Sequence, residues 1–164
     1  MKQEENMKLA STESMRISLE AVRTGKAGLN RHRRTLLERV PKSGDWARFP
    51  RESITTKDIA YLSAATKHEF ALLRGKKEDV LFHGVELECT FNDELMNLLK
   101  THKFELVAHT HPDWVIITPS QNDRNFLRNI NQEKSVIISY ITGVELEFSS
   151  NVYEDIYKEV WPIC

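Results

Sequence analysis

The stretch that most limits how this chain can fold lies between residues 104 and 123. An apolar run, Phe104-Glu105-Leu106-Val107-Ala108, leads into His109-Thr110-His111-Pro112. Ser120-Gln121-Asn122-Asp123 follows after an eight-residue interval from His111, residues 112–119. On a strand, alternate side chains share a face. Residues 104–111 therefore read as a strand carrying both imidazoles on one side at its end, where Pro112 stops the ladder. Ser120 and Asp123, three apart, read as the opening of a helix and share the face of its first turn. The fold must therefore bring the end of one strand against the start of one helix. Two histidines and an aspartate converging there, with a fourth position left to water, are the ligand set of a catalytic zinc. Each part has an ordinary alternative. Ser-x-x-Asp also resembles a capping box, and a histidine after an apolar run is commonly a hydrogen-bonded structural residue.

The rest of the chain supplies the scaffold. In residues 1–44, Met15, Leu19 and Val22 fall at helical spacing, and Leu29, Leu36, Leu37 and Val40 form a second apolar set. Gly25 and Gly28 lie between them, which predicts two helices or a kinked one. Residues 41–54 have linker character, with Trp46 and Phe49 pinning them to the core. The organisation expected is a helical N-terminal extension and linker over residues 1–50, then a main domain over 51–164. Thr55 is the expected N-cap of a helix with Asp58 in its first turn and Ile59, Leu62 and Ala65 as apolar positions. Residues 70–73 and 80–82 read as a hairpin around Gly75-Lys76-Lys77. Residues 85–91 alternate strictly and read as a further, half-buried strand. Asn92 caps a helix burying Leu95, Leu98 and Leu99. After the helix at Ser120, with Phe126, Leu127 and Ile130, come a hairpin around Thr142-Gly143 and a last helix over 152–161. This order implies an α+β fold with a mixed or antiparallel central sheet flanked by helices.

Composition narrows the function. The 164 residues carry a formal net charge of −1, which argues against a nucleic-acid binder acting through its whole surface. No apolar run approaches the roughly 20 residues of a membrane span, and residues 1–20 lack a signal-peptide core. The two cysteines, Cys89 and Cys164, are too few for a disulfide framework. Cys89 is expected as a buried free thiol. A reducing cytoplasm is the simplest compartment. Without a Cys-x-x-Cys pair, a metal would be held by histidine and carboxylate. His32, His68, His83 and His102 read as surface or hairpin residues.

In residue types and order, His109-Thr110-His111-Pro112 with Ser120-Gln121-Asn122-Asp123 resembles the signature of the JAMM (MPN+) zinc metallopeptidases. Their pattern is His-x-His, seven residues, then Ser-x-x-Asp, with a glutamate upstream. The interval here, 112–119, is one residue longer. The resemblance spans roughly residues 55–150 and leaves the N-terminal helices uncovered. It implies a JAMM/cytidine-deaminase-like fold and hydrolysis of a peptide or isopeptide bond. His109, His111 and Asp123 would hold Zn2+, and Ser120 would hydrogen-bond the oxyanion. Glu69 best matches the upstream glutamate and would be the general base, with Glu86 as the alternative. The match at Glu69 is imperfect, because Leu72 stands where many members carry a glycine. The substrate would be a protein or peptide, a ubiquitin-like conjugate among the candidates. Residues 124–135 leave no room for the long insertion of ubiquitin-selective members, so the chain is similar to compact prokaryotic members.

Two other readings differ in class. Relatives of this fold that have lost ligands serve as binding or scaffold modules. The segment from Arg16 to Lys42 carries eight Lys/Arg against two Glu, most densely at Arg31-His32-Arg33-Arg34. That is either a solvated helix face or a contact for nucleic acid or an acidic partner.

Overall fold

The computed structural model describes residues 2–86, 89–114 and 116–151, with side chains from residue 13 onward in the first helix. The last helix expected over 152–161 and Cys164 lie outside these residues. The elements in order are α1 (Lys2–Arg23), α2 (Arg31–Arg39), β1 (Trp46–Pro50), α3 (Thr56–Thr66), β2 (Phe70–Arg74), β3 (Glu78–His83), α4 (Asp93–Thr101), β4 (Glu105–His111), α5 (Gln121–Asn129), β5 (Lys134–Ser139) and β6 (Glu145–Ser149). The fold is α+β, with one six-stranded mixed sheet in the order β1-β3-β2-β4-β5-β6. Every neighbouring pair is antiparallel except β4 and β5, which run parallel.

Strand alternation feeds two cores, one on each face of the sheet. Phe70 and Leu72 of β2, Leu81 of β3 and Ile138 of β5 join one cluster with Ile59 and Leu62 of α3. Ala71 and Leu73, Val80 and Phe82, and Ile137 join the other with Leu95 and Leu99 of α4 and Leu127 of α5. Burial on both faces explains why β2 reads as an unbroken apolar run. The helices start where their caps predict. Thr55 and Asp58 form a capping box, Asn92 accepts the amide of Leu95, and Ser120 and Asp123 form a second capping box. These satisfy donors that a helix start otherwise leaves unpaired.

The N-terminal helices are part of the first core. Leu19, Leu36 and Val40 are buried in it beside Ile59 and Leu62. The arginines there are mostly committed within the chain. Arg33 Nε lies 2.9 Å from Asp58 Oδ1, and its guanidinium covers the Tyr61 ring. Arg39 donates to the Arg48 carbonyl and covers Phe49, and Arg34 donates to the Leu29 carbonyl.

Several expectations need correction. Residues 46–50, read as linker, are strand β1, paired along β3 from Trp46↔Phe82 to Pro50↔Glu78. Pro50, which donates nothing to a ladder, is tolerated because β1 is an edge. Residues 85–91 are not a strand where described: Val85 and Glu86 are exposed, and Cys89, Thr90 and Phe91 are irregular. Cys89 and Phe91 pack against the second core instead. In α3 it is Ala64, not Ala65, that is buried. Cys89 is half-buried rather than buried. His83 does end the β2–β3 hairpin, but it is 1% exposed and stacked on Phe70 at 4.4 Å. His68 is its neighbour at 2.8 Å.

One irregularity lies in β4. Leu72 pairs with Ala108 but Leu73 with Leu106, so Val107 is an extra residue, a β-bulge. Val107 and Ala108 both turn toward the first core, whereas Leu106 belongs to the second.

Candidate metal centre

His109 and His111 stand at the end of β4 on the face covered by α5. Thr110 between them points the other way. It is fully buried and meets Ser63 of α3, Oγ to Oγ1, at 2.7 Å. Residues 112–119 then carry the chain to Ser120. Because β5 lies parallel to β4, with His111 beside Ser139, α5 is the crossover of a β-α-β unit. Its N-terminus therefore returns to the strand end that bears the histidines.

The second capping box aims the third ligand. Ser120 Oγ accepts the Asp123 amide at 3.0 Å, and Asp123 Oδ2 accepts the Ser120 amide at 2.8 Å. Thus fixed, the carboxylate meets both imidazoles. Oδ1 is 3.0 Å from His109 Nε2 and Oδ2 is 3.2 Å from His111 Nε2. The ordinary reading of Ser-x-x-Asp as a cap is correct, and the cap is also what turns Asp123 toward the histidines.

These three residues could hold a metal ion, since their donor atoms lie within 4.8 Å of one another. A tetrahedral centre with bonds of about 2.0–2.2 Å separates its ligands by roughly 3.3–3.6 Å, a few tenths of an ångström more than the contacts here. The charges fit as well. Asp123 and the buried Glu69 bring two carboxylates to one cleft, and a divalent cation balances both. Among the described residues His109 Nδ1 is buried without a hydrogen-bond partner, so the ring is held through Nε2.

Protonation follows from this crowding. Burial by itself would raise the Asp123 carboxyl, but hydrogen bonds from His109 and His111 hold it far below the usual carboxylate range. Burial would lower the His111 imidazole, but Asp123, then Glu69 and Asp113, raise it above its ordinary value.

Glu69 precedes β2. Ala71 pairs with His109, so the register extended by two residues sets Glu69 opposite His111, on the same face. Glu69 is 4% exposed, and its backbone is tied to residues 84 and 85. A cleft of about 600 Å³ has Glu69, His109, His111, Ser120 and Asp123 in its wall, with Phe91 and Met96 opposite. All five site residues expected from the sequence thus line one cleft. Glu86 is exposed and does not line it.

Sequence reasoning missed Asp113. Its Oδ2 lies 3.2 Å from His111 Nδ1. The available signal was a carboxylate two residues beyond a candidate ligand. No family model matches the sequence, and no curated protein or solved structure matches it.

Proposed function

We propose that this protein is a zinc-dependent hydrolase that cleaves a peptide or isopeptide bond, as its resemblance to the JAMM metallopeptidases implies. The observation that carries the reading is the meeting of His109 Nε2, His111 Nε2 and the Asp123 carboxylate in the wall of a cleft that also holds Glu69. A two-histidine, one-carboxylate set suits zinc with an open position. When bound, zinc would supply Lewis-acid polarisation of a carbonyl and make water nucleophilic near neutral pH.

The chain's own residues do the rest. Glu69 takes the proton of the attacking water and returns it to the departing amine. Ser120 Oγ accepts from Asp123, so its own hydrogen remains available to the developing oxyanion. Phe91 and Met96 give the cleft an apolar wall for the substrate chain. The substrate class is a protein or peptide tail, with ubiquitin-like conjugates included. No helix among the described residues is long and apolar enough to cross a membrane.

The test is hydrolysis of peptide amides and ubiquitin-like isopeptide conjugates, with a chelator added and then zinc restored. Chelator-sensitive cleavage that zinc restores, with Glu69→Gln retaining zinc but losing at least about 10²-fold in kcat, is expected. Full activity in Glu69→Gln removes that residue as the base. Stoichiometric zinc with no cleavage of any substrate favours a binding module.

A further inference from the structure

We propose that Asp113 is the positioning carboxylate of His111 and thereby sets the affinity of the site for its metal. The proposal rests on the metal reading above. It goes beyond that reading by assigning a role to a residue outside the ligand set.

Asp113 Oδ2 stands 3.2 Å from His111 Nδ1. A carboxylate only accepts, so Nδ1 carries a hydrogen, and a cation would take the place of the proton that Nε2 shares with Asp123. Nε2 is the nitrogen that faces Asp123. A carboxylate on the far nitrogen both fixes ring orientation and raises ligand basicity.

Asp113 is itself held at two points, one on its carboxylate and one on its backbone. Oδ2 also accepts the Thr118 amide at 3.2 Å, across the loop. The Asp113 carbonyl accepts the hydroxyl of Ser139, a fully buried residue that pairs with His111 across β4 and β5. The same Ser139 Oγ accepts the amides of Ile141 and Thr142. A chain of bonds therefore runs from the β5 end through Ser139 and Asp113 to His111. The longer interval between His111 and Ser120 is stapled by the group that orients the ligand.

The two histidines differ in this respect. His109 Nδ1 has no partner among the described residues, and its ring is placed by the Nε2 contact with Asp123 and by packing, with Phe148 edge-on at 5.7 Å. His111 is the ligand whose orientation depends on a replaceable hydrogen bond.

The experiment measures zinc affinity by chelator competition and cobalt uptake by its visible spectrum, in the full chain and in Asp113→Ala and Asp113→Asn. Thermal unfolding of each metal-free protein is measured in parallel. Asp113→Ala should bind zinc 10- to 100-fold more weakly. Asp113→Asn should recover part of that loss, because its amide oxygen still accepts from Nδ1 and from Thr118. Equal affinity in the wild type and Asp113→Ala overturns the proposal and leaves the metal reading intact. Asp113→Asn as weak as Asp113→Ala, with both folded, also overturns it. A wild-type protein that takes up neither zinc nor cobalt overturns the metal reading and the proposal with it.

Discussion

Thr110 Oγ1 accepts the backbone amide of Phe70 at 2.8 Å while touching Ser63 Oγ at 2.7 Å. The residue between the two histidines is thus bolted to β2 and α3 on the far side of the sheet. Thr110→Val keeps the shape but strands the Phe70 amide, at a cost of about 1–3 kcal/mol. Urea unfolding should show a lower midpoint with an unchanged slope. An unchanged midpoint would mean that the bond contributes nothing net.

Ser120 should separate capping from catalysis. Ser120→Ala should cost about 1 kcal/mol of stability, whereas Ser120→Gly should cost only a few tenths. If the hydroxyl serves the oxyanion, both should lose about 10²–10³ in kcat. Activity that tracks stability instead would make Ser120 a cap alone.

Zinc at a hundredfold excess over its Kd should stabilise the protein by about 2.7 kcal/mol, or roughly 5–11 °C in Tm for a chain of this size. His109→Ala and His111→Ala should each abolish the shift. A variant that keeps it would not have lost a ligand.

His83 should make the protein acid-sensitive. Its Nδ1 donates to the Val40 carbonyl at 2.7 Å, and its Nε2 faces His68 Nδ1. Burial, and then the nearby His68, lower its pKa below the ordinary imidazole value, despite the Val40 bond and Asp45. With the folded pKa below the unfolded one, its stabilisation is complete above about pH 6.5. It is lost as pH falls from there through the folded value. The raised His111 acts in the opposite sense, so the informative quantity is the difference between wild type and His83→Gln. That difference should narrow on acidification. A constant gap between pH 8 and 5 would refute the assignment.

Gly143 turns the β5–β6 hairpin at φ +79°, and a Cβ there would lie 2.9 Å from Met15 Sδ. The methionine can move aside, so backbone conformation sets the cost. Gly143→Ala should destabilise by about 1–2 kcal/mol, measurable as a drop in Tm. No change in Tm would show that the turn relaxes.

What could be read beforehand was local. Thr55, Asn92 and Ser120 announced helix starts because a cap is a bond within four residues, and β2, β4 and β5 showed themselves as apolar runs. The errors are those of tertiary placement. Residues 85–91 have a strand's alternation, but β1 and β2 already occupy both edges of β3. β1 was hidden because Pro50 and the preceding Pro41 and Gly44 resemble a linker, and only β3 makes an edge strand of it. The burial of His83 was not legible, since no local pattern reports Phe70 stacked upon it. Within the site, the ligand spacing was legible from strand and helix periods. Asp113 was not, because its role arises from how the loop folds back on His111.

The bulge at Val107 acts as a phase shift in β4. Upstream of it, even-numbered Leu106 faces the cleft side; downstream, odd-numbered His109 and His111 do. Pairing the same sequence without the bulge, with the β2–β4 pairing kept upstream, would reverse parity downstream, sending Thr110 into the cleft and both imidazoles against α3. The side of the sheet on which this protein can do chemistry thus depends on the strand absorbing one unpaired residue, and a Val107 deletion, which removes that residue and leaves His109 and His111 facing the cleft, should still take up cobalt.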